Sequence, residues 1–148
     1  EHQLDLKLFG DFSYSGFVGF FPFSESLSFF DFKHFAGNQI PFINNRQRAF
    51  QALPYYNFST GKDYIELHAE HHFNGFLFNK IPLLNKWLNW QFYAGANFLS
   101  TAANPDYYEA YVGLENIFSV FSVQVAAPYS NKRFASPIFM VGSSIIIN

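Results

Sequence analysis

Three of the five histidines in this 148-residue chain fall in one stretch, His68-Ala69-Glu70-His71-His72-Phe73, with a carboxylate among them. Imidazoles and carboxylates ligate zinc and act as general acids and bases, so metal-assisted chemistry is the first reading to test. The spacing argues against it. H-E-x-x-H, which puts two imidazoles on one helical face beside a catalytic glutamate, is absent. On a strand, side chains two apart share a face at ~6.5–7 Å, so Glu66, His68, Glu70 and His72 form one polar stripe while His71 points the other way. These four are the metal-ligand candidates, and a complete site would borrow a ligand such as Glu109 or Glu115 from another strand. The preferred reading is a hydrogen-bonded network of carboxylates and imidazoles reaching neighbouring strands, with no metal and no cofactor. His34, in Phe32-Lys33-His34-Phe35, reads as a packing histidine.

Nucleophilic catalysis has as little support. There is no G-x-S-x-G elbow, and no serine is tied by position to a histidine and an acid. Gly16 and Gly19 lack the lysine of a phosphate loop. No catalytic residue is assigned, and the expectation is a non-enzymatic protein; Ser, His and Asp converging in space is the alternative.

The elements positioning these residues follow from alternation with period two, which recurs along the chain. In residues 4–14, Leu4, Leu6, Leu8, Phe12 and Tyr14 oppose Asp5, Lys7, Asp11 and Ser13. Ile65, Leu67, Ala69 and Phe73 oppose Glu66, His68, Glu70 and His72. Trp90, Phe92, Ala94, Ala96 and Phe98 oppose Gln91, Tyr93, Gly95 and Asn97. Tyr108, Ala110, Val112 and Leu114 oppose Glu109, Tyr111, Gly113 and Glu115, and Phe121, Val123 and Val125 oppose Ser122 and Gln124. Weaker strands are drawn around 26–35, 48–59 and 134–147, about eight in all. Turn chemistry marks 59–62, 101–106 and 129–133. Residues 79–89, interrupted by Pro82 and flanked by Lys80 and Lys86, read as a short amphipathic turn or helix at an interface.

Across the five clear strands the apolar face carries no Asp, Glu, Lys or Arg, and its one imidazole is His71. Hydrocarbon demands such a face, since a charge at the midplane of a barrel exterior costs roughly 2–4 kcal/mol. Composition agrees. The chain is 22% aromatic and 14% charged, against about 25% charged in ordinary soluble domains. Aromatics also gather toward strand ends, as at Tyr55-Tyr56, Trp87 and Trp90, and Tyr107-Tyr108. No apolar run reaches the ~18 residues of a spanning helix, so a membrane would be crossed by strands. A soluble β-sandwich also alternates and is the competing fold. A formal charge of −2 with neither sign clustered gives no footprint for nucleic acid. The absence of cysteine rules out disulfides and thiol chemistry within the chain.

Four stretches, FDFKHFAGNQ (30–39), LPYYNFSTGKDYIELHAEHHFNGFLFNKIPLL (53–84), GANFL (95–99) and VGLENIF (112–118), occur in an order that resembles a known family. It is the Bacteroidetes-type outer-membrane family of unknown function that carries an N-terminal carboxypeptidase-regulatory-like domain, and the likeness is to its C-terminal barrel region. The resemblance implies that residues 1–148 are one unit, the last part of a larger antiparallel transmembrane β-barrel in the outer membrane of a Gram-negative bacterium. The module in the family's name is a β-sandwich, not a peptidase. The terminal Ile145-Ile146-Ile147-Asn148 departs from the aromatic ending usual in such barrels. Eight strands also suffice for a small independent barrel.

On this reading Asp5, Lys7, Glu66, His68, Glu70, His72, Glu109 and Glu115 face the lumen. The expected role is a component of an envelope-biogenesis or surface-transport complex, with outer-membrane lipid and other outer-membrane or periplasmic proteins as partners. A porin-like channel tuned by those charges is the second expectation, and an outer-membrane hydrolase the third.

Overall fold

The computed structural model describes residues 10–20, 28–37, 49–54, 56–73, 90–118 and 120–143. They form one antiparallel sheet of seven strands: β1 (Asp11–Gly19), β2 (Tyr64–His72), β3 (Gln91–Thr101), β4 (Asn104–Ile117), β5 (Phe121–Ser130), β6 (Arg133–Phe134) and β7 (Ile138–Ser143). Neighbours in sequence pair in the order β1-β2-β3-β4-β5, and β6 and β7 divide the far edge of β5 between them. No α-helix occurs among the described residues. β3 and β4 are joined through Ala102-Ala103. Asn131 and Lys132, both in the left-handed region at φ 54° and 60°, make the two-residue turn between β5 and β6, whose twist matches that of the strands it joins.

Register fixes two faces of opposite character. Glu66, Glu70, Tyr93, Asn97, Glu109, Tyr111 and Gln124 turn inward and are buried, whereas Leu67, Ile65, Tyr108, Val112, Phe121 and Val123 turn outward and are exposed. The outward face is itself ordered. Near one end Phe98, Tyr108, Tyr129 and Phe134, on four successive strands, make a chain of ring contacts at 4.9, 6.1 and 4.8 Å. Near the other, Phe12, His71, Phe73 and Phe92 do the same at 6.3, 4.4 and 5.1 Å. Between the bands the register aligns Ala69, Ala96, Ala110 and Ala127 across β2 to β5, with Tyr14 beside them on β1. Among the described residues no Asp, Glu, Lys or Arg faces outward between the bands.

Among the described residues, the strands expected around 26–35 and 48–59 do not form. Residues 28–37 hold a 3-10 turn at Phe29–Asp31 and an isolated bridge from Lys33 to Thr60, and residues 49–54 are irregular. Their apolar side chains are satisfied by packing across the inward face: Phe35, Phe50 and Leu53 join Leu99 and Tyr107 in a buried cluster. Pro54 lacks a ladder donor and Tyr56 adopts φ 65°, so pairing is locally disfavoured. The last expected strand is divided into β6 and β7, with the donorless Pro137 between them. The first runs further than expected, to Gly19, while residues 1–9 lie outside the described set. The sheet is open: β1 is one edge, and no pairing links it to β6 or β7 among the described residues. Residues 79–89 lie outside the described set.

Candidate functional site

The inward face carries an extended polar network in three branches, built by strands that each contribute alternate residues. Glu66 Oε1 lies 2.9 Å from His68 Nε2, and His68 Nδ1 lies 2.9 Å from Asn97 Oδ1 across the β2–β3 pair. Asn97 Nδ2 donates to Glu109 Oε1 at 2.6 Å, carrying the network to β4. Glu109 accepts three more bonds, from the Gln51 amide at 2.5 Å, the Ala52 amide at 2.9 Å and the Tyr107 hydroxyl at 2.7 Å. A second branch joins the Tyr111 hydroxyl to Glu70 at 2.8 Å, Glu70 to His72 at 2.6 Å, and His72 to Glu115 at 3.1 Å. A third runs from the Tyr93 hydroxyl to Gln124 at 2.7 Å and from Gln124 to Gln51 at 3.0 Å. Carboxylates buried to this depth are tolerable because each is paired or hydrogen-bonded.

Two tyrosines lie flat within this face because glycines admit them. Gly95 pairs with Tyr111 and Gly113 with Tyr93. A Cβ on Gly95 would meet the Tyr111 ring at 2.3 Å, and one on Gly113 the Tyr93 ring at 2.4 Å. The two rings contact each other edge to face at 6.4 Å and pack with Ala52 and Ala126.

Glu66, His68, Glu70, His72, Glu109 and Glu115 are therefore brought to one face, His71 to the other; Asp5 and Lys7 lie outside the described residues. Both ring nitrogens of His68 and of His72 are engaged by oxygen atoms. Among the described residues no group of three or more His, Asp or Glu is disposed to hold a metal ion. His34 packs between Phe29 and Tyr56 and contacts Ser59 Oγ through Nδ1 at 2.8 Å. No carboxylate among the described residues bonds that imidazole.

Alternation placed Tyr93, Asn97, Tyr111 and Gln124 on the polar face without marking them as network members. Gln51 gave no signal, because its part comes from an irregular segment crossing from elsewhere in the chain.

Residues 1–114 match the C-terminal domain of a family of unknown function, DUF5686. The chain belongs to this family. No curated protein and no solved structure matches it. The network strands β2 and β3, and β4 as far as Leu114, fall within the matched part of this DUF5686 domain.

Proposed function

We propose that this chain is part of the wall of an outer-membrane β-barrel in a Gram-negative cell envelope, and that it is a non-enzymatic component of an envelope-biogenesis or surface-transport assembly. The observation that carries the reading is the inversion of burial across one sheet: carboxylates and amides inside, valine, leucine and phenylalanine outside. Water-soluble folding drives the opposite arrangement. Lipid in place of water makes it the favourable one.

Three further features support lipid as the occupant of the outward face. β1 to β5 have 9, 9, 11, 14 and 10 residues, whereas a tilted transmembrane strand needs about 9–11. The aromatic bands flank an aliphatic middle, as interfacial girdles do. From Phe121 to Tyr129 the chain rises ~27 Å, or ~20 Å along the membrane normal at a tilt of ~40°, close to the height of a barrel's apolar band. On this reading the open edges of the sheet are closed by strands of the parent protein, and Glu66, His68, Glu70, His72, Glu109 and Glu115 face the lumen.

The assembly role is the resemblance's contribution and has its own test. Cross-linking and pull-down of the full-length protein from detergent-solubilised envelopes should recover defined outer-membrane or periplasmic partners. A protein that runs alone at every cross-linker concentration contradicts that role. A porin-like channel is the second reading, favoured by the acidic character of the inward face; planar-bilayer conductance altered by Glu66→Gln or Glu70→Gln would establish it.

A further inference from the structure

Loops ordinarily run over a protein's surface, because a buried loop carries backbone groups that water would otherwise satisfy. Residues 49–53 depart from this. Ala49, Phe50, Gln51, Ala52 and Leu53 belong to no strand, yet none is more than 7% exposed. The sheet supplies what water would have given. Gln51 and Ala52, consecutive in the chain, donate their amides to the two oxygens of Glu109 on β4. The Ala49 carbonyl accepts from Asn97 Nδ2 on β3, and the Gln51 side-chain oxygen accepts from Gln124 Nε2 on β5. Three adjacent strands thus converge on five residues that none of them pairs with.

We propose that residues 49–53 are a plug seated in the polar interior of the barrel and latched by Glu109. While the carboxylate holds both amides, the interior is closed. When it lets go, the inward face becomes a water-filled passage for small hydrophilic solutes. The inference rests on the barrel reading above. The seat suits release, because residues 49–53 belong to no strand ladder and, apart from the Phe50 amide donating to the Ala36 carbonyl, are held to the sheet by side-chain hydrogen bonds. The face beneath them, with Glu66, His68, Glu70 and Asn97, hydrates readily once uncovered. The apolar part of the seat is Phe50 and Leu53 against Phe35, Leu99 and Tyr107, with Ala52 against Tyr93, Tyr111 and Ala126.

The test uses the full-length protein in lipid vesicles and planar bilayers, carrying Ala52→Cys and a membrane-impermeant maleimide, with labelling of the residue-52 peptide read by mass spectrometry. Labelling should be slow with Glu109 intact. It should accelerate about tenfold or more in Glu109→Ala, as expected for the loss of a charge-assisted hydrogen bond, and bilayer conductance should rise with it. Gln51→Pro, which deletes one donor from the plug and leaves every strand residue in place, should act in the same direction even where Glu109→Ala fails to fold. Labelling that is fast from the start, or unchanged in Gln51→Pro, overturns the latch. Faster labelling without added conductance overturns the passage. A bimane on Val112→Cys, quenched by spin-labelled lipid, reports the barrel separately. If that quenching is absent, the barrel reading and the plug both fall; if it is present while residue 52 does not respond, only the plug does.

Discussion

The two faces of this sheet obey different rules although they alternate residue by residue along the same strands. The inward face is specific: Glu109 alone accepts four hydrogen bonds from named donors, and the Tyr93 and Tyr111 rings fit over glycines with no room for a methyl group, their hydroxyls donating to Gln124 and Glu70. The outward face is generic, asking only that side chains be apolar in the middle and aromatic near the ends. A chain in water must be exacting about its apolar packing. On the proposed barrel reading the demand for fit moves to the polar side, because lipid accommodates an outward side chain of almost any shape and, while residues 49–53 are seated, water does not enter to repair an inward mismatch.

That contrast is open to attack by substitution, with stability measured by urea unfolding of the full-length protein in lipid vesicles. Glu109→Ala should have the largest effect, about 3–5 kcal/mol, because it strands two backbone amides, the Asn97 amide and the Tyr107 hydroxyl together. Val112→Arg, an exposed outward position in β4, should cost about 2–4 kcal/mol if it lies in hydrocarbon and almost nothing if it lies in water. Gly113→Ala adds a single methyl on the inward face and should cost about 1–3 kcal/mol through collision with the Tyr93 ring. Ala110→Leu adds three carbons on the outward face and should change stability by no more than about 0.5 kcal/mol. The last two sharpen the comparison most, since the smaller change is expected to do the greater harm.

The strands and their two faces were legible in the sequence because period-two alternation is a local property, and β2 to β5 display it over most of their length. The stripe Glu66, His68, Glu70, His72 followed from it, as did the isolation of His71 on the opposite face. The partners of that stripe were less legible. Which residue lies opposite His68 depends on the β2–β3 register, which no local pattern sets, and the step from Asn97 to Glu109 depends on the β3–β4 turn and the irregularity between Leu99 and Thr101. The segments around Phe35 and Phe50 misled because their apolar residues resemble those of a strand, while their actual fixation comes from long-range packing on the inward face. No local pattern distinguishes a Phe that pairs in a ladder from one that inserts under it. The buried backbone of Gln51 and Ala52 was illegible for the same reason: its partner, Glu109, is more than fifty residues away.

The central claim is that even-numbered residues of β4 face lipid and odd-numbered ones face the polar interior. Nitroxide labels placed singly at positions 108–114 of the full-length protein in vesicles, read by electron paramagnetic resonance, test it directly. The account predicts collision with dissolved oxygen that rises at 108, 110, 112 and 114 and falls at 109, 111 and 113, with the even positions shielded from a water-soluble nickel chelate. Even positions that collide with the chelate as freely as a label in water would contradict it.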